Sequence, residues 1–93
     1  MAKKKSKLEA LRLKIEDADR KILKLLAKRS YLVRQIAIYK RNNNLTAVDP
    51  KRKKQLRKLW INEGKKLKLS SKIVGNIFDR IHSYSVTIEK GHL

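Results

Sequence analysis

The 93-residue sequence contains no cysteine. That excludes disulfides, thiolate metal sites and a cysteine nucleophile at once. Histidine is almost as scarce, and His82 and His92 are too few and too scattered to build an imidazole metal site. Neither the single proline nor any of the three glycines interrupts the chain between Leu8 and Arg41. The few aromatics, Tyr31, Tyr39, Trp60, Phe78 and Tyr84, suit core or rim positions better than base-stacking platforms. No apolar run approaches the roughly 18–20 residues of a membrane span. The amino end is charged but has no apolar stretch behind it, so it does not read as a secretory signal. These absences point to a soluble, intracellular (cytoplasmic) protein, with a basic arm over 1–7 and one helical domain over 8–93.

Acidic residues are also in short supply. Eight Asp+Glu stand against 26 Lys+Arg, a formal charge of +18. Such an excess repels itself in a compact state, and nucleic acid is the commonest partner that neutralises it. The cations cluster: Lys51, Arg52, Lys53, Lys54, Arg57 and Lys58 fall within one short stretch, followed by Lys65, Lys66 and Lys68. Lys3, Lys4, Lys5 and Lys7 crowd the amino end. A lysine-rich solvated face is the plainer reading, but such faces usually balance Lys with Glu in ion-pair networks. The expectation is therefore that Lys3, Lys4, Lys5, Lys7, Lys51, Lys53, Lys54, Arg57, Lys58, Lys65, Lys66 and Lys68 bind RNA phosphates rather than bases.

What the chain has in abundance is helical periodicity. Leu8, Leu11, Ile15, Ala18, Ile22, Leu25, Arg29, Leu32, Ile36 and Tyr39 step by threes and fours, close to a heptad seam. A helix from Leu8 to Arg41 would run about 50 Å at 1.5 Å per residue. A compact chain of this size has a radius of gyration near ~12 Å, so the stripe needs a partner helix, most simply from a second copy. Asn42-Asn43-Asn44 ends the first helix, since Asn tolerates the left-handed conformation. Asp49-Pro50 starts a second, with Asp as N-cap and Pro at the first helical position. Leu56, Leu59, Trp60 and Leu67 give that helix an apolar face. Ser70 or Ser71 caps a third, striped by Val74, Ile77, Phe78, Ile81, Ser85 and Ile88. The fold class is all-α, with a long, a short and a medium helix and no strand signal.

Polar residues interrupt the stripes. Arg29 stands in the long seam, and Lys40 lies about 20° further round and about 16 Å along. A cation on a buried stripe is costly unless it is paired or faces a cavity. Arg29 either meets a carboxylate such as Asp49 or lines a cationic pocket for a small polyanion. Ser85 and Glu89 sit at i and i+4 on the inner side of the third helix and could line the same cavity.

Leu8-Glu9-Ala10-Leu11-Arg12, Lys14-Ile15, Asp19, Leu25 to Arg29, Leu32-Val33, Lys40 and Asp49-x-x-Arg52 together resemble the all-helical chorismate mutases. The resemblance runs from Leu8 to about Glu89. It implies an interlocked homodimer and a Claisen rearrangement of chorismate to prephenate, with no cofactor and no metal. It also implies site roles. Arg29 and the Arg12 of the other copy would grip carboxylates through their planar forks. Arg52 would add charge, Lys40 would donate to the ether oxygen, and Asp49 and Ser85 would touch the substrate's polar periphery.

Two positions depart from the family pattern. Lys53 replaces a Glu that receives the substrate hydroxyl, and Glu89 stands where many members have a Gln that donates to the ether oxygen. Glu must be protonated to donate, and an ammonium such as Lys53 beside it would favour the ionised form. A Lys53–Glu89 ion pair filling the pocket is one outcome of the two changes. They predict weak or absent mutase activity at neutral pH.

The resemblance also extends to proteins of this fold found in some archaeal large ribosomal subunits. With 22 cations left over by the four that the enzyme would use, the reading placed first is a ribosome-associated, rRNA-binding structural protein on this fold. The mutase is placed second.

Overall fold

The computed structural model describes residues 2–46 and 49–91, with side chains from Ser6 onward. Three helices follow one another: α1 (Ala2–Asn42), α2 (Pro50–Lys66) and α3 (Ser71–Glu89). No strand occurs among the described residues. The all-α, long-short-medium order is the expected one. α1 begins at Ala2, so the helix takes in the basic segment ahead of Leu8, while the side chains of Lys3, Lys4 and Lys5 lie outside the described residues, as does His92.

The helix ends follow their local chemistry. Asn43 N–H donates to the Tyr39 carbonyl at 3.1 Å, and Asn44 turns left-handed at φ 54°, which closes α1. Asp49 caps α2 by accepting from the Lys51 N–H at 3.1 Å and the Arg52 N–H at 3.3 Å. Ser70, not Ser71, caps α3 through the Ile73 N–H. Between α2 and α3, Lys68 sits at φ 61°, and Leu69 N–H returns to the Gly64 carbonyl at 2.9 Å.

The chain divides into two compact units, Met1–Tyr31 and Leu32–Leu93. In the first, Leu8, Leu11, Ile15, Ile22 and Leu25 stay between 46% and 65% exposed along α1. Ser30 is buried there, its hydroxyl donating to the Leu26 carbonyl at 2.9 Å.

The second unit holds the core: Val33, Ala37, Val74, Phe78 and Ile88, with Phe78 fully enclosed. Trp60 meets Phe78 edge-on at 5.3 Å and 72°, and His82 stacks on Phe78 at 5.5 Å and 15°. α2 and α3 pack closely where Gly64 faces Val74. A Cβ on Gly64 would lie 2.9 Å from Val74 Cγ2.

Several expected core positions move. On α1 the buried apolar residues are Val33 and Ala37, while Leu32 and Ile36 remain 48% and 47% exposed. Successive helical positions differ by about 100°, so one residue's shift moves the buried line to a different face. Smaller side chains on that line permit closer packing. Leu59, Leu67 and Ile77 are likewise exposed rather than buried. Hydrophobic spacing alone does not say which of two apolar lines is covered within one copy.

Candidate functional site

The site residues on α3 share a narrow arc. At 100° per residue, Phe78, His82, Ser85 and Glu89 fall within about 60° of one another. His82 and Glu89 differ by about 20° around the axis and lie about 10 Å apart along it. Ser85 is buried, and its hydroxyl donates to the Ile81 carbonyl at 3.0 Å. Glu89 is more enclosed than exposed because the last turn of α3 reaches the end of α1. Lys40 Nζ stands 3.4 Å from both Glu89 carboxylate oxygens.

This ion pair is well sheltered, with side chains 23% and 15% exposed. Ion pairs on open surfaces contribute little, and a sheltered one needs its partner to offset desolvation. Lys40 also edges an open apolar hollow of about 550 Å³ with Leu32, Ile36, Tyr39 and Leu45. The geometry differs from the expected Lys53–Glu89 pair. Glu89 meets Lys40, while the Lys53 charge acts on Asp79.

A second charge group lies beside it. Arg57 Nε donates to Asp79 Oδ1 at 3.0 Å, tying α2 to α3. The hydrogen bond from Arg57 holds the Asp79 carboxyl below its ordinary value; desolvation opposes it, and the positive charges of Arg57, Lys53 and His82 reinforce it. The Arg57 guanidinium lies over Gly75, where a Cβ would come within 2.6 Å of Nη2.

The remaining candidates are placed by their elements. Arg52 and Lys53 are exposed on the first turns of α2, and Asp49 holds the start of that helix. Arg12 is exposed in the first unit. Arg29, in the same unit, is half-buried, and that burial pushes its guanidinium below the ordinary arginine value. It remains charged at any physiological pH.

Of the basic residues expected to face phosphates, Arg57 is engaged with Asp79 and Lys66 with Glu63 at 3.2 Å. Lys51, Lys54, Arg57 and Lys58 edge an open hollow of about 480 Å³ on α2. No group of His, Asp and Glu among the described residues is arranged to hold a metal ion. Nor is any described helix long and apolar enough to cross a membrane.

The family model for chorismate mutase type II matches residues 11–90. Among curated proteins, the bifunctional chorismate mutase/prephenate dehydratase of Buchnera aphidicola subsp. Acyrthosiphon pisum (strain APS) is 40% identical over 76 residues, which is 82% of this chain and 20% of that protein. Its counterpart from Buchnera aphidicola subsp. Schizaphis graminum (strain Sg) is 37% identical over 86 residues, 92% of this chain and 22% of that protein. The chain thus spans about a fifth of the length of these curated relatives.

These matches overturn the first-placed reading. A ribosomal, rRNA-binding role with rRNA or the ribosome as partner is corrected in favour of the mutase family. The physical error lies in weighing net charge above an ordered set of side chains. Net charge bears on solubility, association kinetics and non-specific binding. The guanidinium fork that suits phosphate suits carboxylate equally. The spacing from Arg12 through Ser85 carried the information that the charge total did not.

Proposed function

We propose that this chain, which belongs to the type II chorismate mutase family, rearranges chorismate to prephenate. The observation that carries this reading is the matched span itself: residues 11–90 include Arg12, Arg29, Lys40, Asp49, Arg52 and Ser85 in order. In the reaction the ether C–O bond breaks as a C–C bond forms, with no covalent intermediate. Catalysis by such a site consists of holding the dianion in its reactive fold and stabilising charge that develops on the ether oxygen.

Arg29, with Arg12 reaching from a second copy, holds the two carboxylates. Half-burial suits Arg29 to this task, since a desolvated guanidinium interacts more strongly with an incoming carboxylate. Lys40 faces the ether oxygen from its sheltered place beside Glu89. Arg52 adds charge from the first turn of α2, and Asp49 positions that turn by capping it. The exposed apolar line Leu11, Ile15, Ile22 and Leu25 supports the two-copy arrangement.

The test is direct: purified protein is incubated with chorismate and formation of prephenate is followed. Arg29→Ala should lower kcat/KM by roughly 10²–10³, the usual effect of removing one preorganised donor. Failure of the unmodified protein to form any prephenate between pH 5 and 8 would overturn the proposal.

A further inference from the structure

The turn between α2 and α3 carries a combination of side chains that the mutase reading does not use. Leu67 is 72% exposed and Leu69 54%, and Ile73, on the first turn of α3, is also exposed. Lys65, Lys66, Lys68 and Lys72 are interspersed with them. No Asp or Glu occurs from Gly64 to Phe78, and Lys66 reaches back to Glu63 at 3.2 Å.

The leucine side chains are not what closes this turn. The Leu67 N–H donates to the Gly64 carbonyl at 3.1 Å, the Lys68 N–H to the Lys65 carbonyl at 3.0 Å, and the Leu69 N–H to the Gly64 carbonyl at 2.9 Å. Ser70 then caps α3. Backbone bonds and a cap fix the geometry, and both leucines stay more exposed than covered at the end of the α2–α3 hairpin.

Apolar tips flanked by ammonium groups match the surface of a bilayer that carries anionic lipids. Its headgroup–acyl boundary offers hydrocarbon to leucine and phosphate to lysine within one side-chain length. The phosphate contacts that dominate nucleic-acid binding give the leucines no counterpart. A specific protein partner commonly buries about 800 Å² per side, more than one short turn presents.

We propose that the α2–α3 turn is a peripheral membrane contact. Leu67 and Leu69 enter the headgroup–acyl boundary of an anionic bilayer, and Lys65, Lys68 and Lys72 meet its phosphates. Stable anchoring on a bilayer takes two signals, and this turn supplies an apolar and a cationic one. The inference goes beyond the mutase reading and its test does not use turnover.

The experiment is cosedimentation of the full chain with vesicles, either of phosphatidylcholine alone or with one phosphatidylglycerol in three lipids. The unmodified protein should bind the mixed vesicles and not the neutral ones. Leu67→Ser with Leu69→Ser keeps the net charge and should weaken binding by at least about tenfold. Lys65→Gln with Lys68→Gln should weaken it about twentyfold, near fivefold for each lysine at an anionic surface. Lys51→Gln with Lys54→Gln has the same net charge and should bind within about twofold of the unmodified protein. Those two lysines lie about 16–21 Å along α2 from Lys65, beyond a Debye length of about 8 Å.

Absence of binding to mixed vesicles overturns the proposal. Equal losses in the two lysine pairs also overturn it, since they mark net charge alone. Binding that survives the leucine change overturns it too, and a changed sedimentation of that variant without lipid would then assign the turn to a second copy.

Discussion

The Lys40–Glu89 pair bears on what would face the ether oxygen in the proposed reaction. The Glu89 carboxylate, 3.4 Å from Lys40, balances the charge that should face that oxygen, and a carboxylate can only accept hydrogen bonds. Glu89→Gln should leave the Lys40 charge to the substrate and add a donor, raising kcat/KM at pH 7.5 by about tenfold for one restored neutral hydrogen bond. Adding Lys53→Glu should raise it further by supplying an acceptor at the start of α2. An unchanged kcat/KM in Glu89→Gln would show that Glu89 does not face the reacting atoms.

α2 and α3 pack closely against each other, and two contacts show what holds them. Gly64 permits the approach to Val74, and the 2.9 Å contact that a Cβ would make involves a branched side chain locked in the packed interface. Gly64→Ala should destabilise by about 1–3 kcal/mol, the usual cost of overpacking, in spite of alanine's better helix propensity. Denaturant unfolding with an unchanged m-value would check it.

Arg57–Asp79 joins the same two helices from the exposed side. Because the folded-state value of Asp79 is depressed, its contribution is present above the ordinary aspartate value of 3.8 and lost as pH falls through the lower, folded value. The stability difference between the unmodified protein and Asp79→Asn should thus narrow on acidification below pH 4. It should also be small and shrink with added salt, since the pair is open to solvent.

For the whole molecule, charge and apolar exposure pull in opposite directions. The +18 charge favours separated chains, while the uncovered α1 line favours association. Burial of Leu11, Ile15, Ile22 and Leu25 between two copies would stabilise by roughly 1.5–3 kcal/mol for each side chain fully covered, enough to outweigh screened repulsion at physiological salt. Sedimentation of the free protein at micromolar concentration should show a dimer, and a stable folded monomer would refute the two-copy site. Substituting Ile15→Lys with Ile22→Lys should abolish both dimer and activity, because Arg12 would then be absent from its proposed place.

The sequence by itself determined the three helices, their order and most of their ends, because caps and periodicity are local: Asp49-Pro50 and Asn44 needed no tertiary partner to be read. It also held the ordered polar set from Arg12 to Ser85, since spacing along a chain survives without coordinates. Only the tertiary structure decided which apolar line is covered, choosing Val33 and Ala37 over Leu32 and Ile36. It also chose Lys40 rather than Lys53 as the partner of Glu89. Both outcomes depend on distances between residues far apart in sequence, and helical period carries no term for such distances.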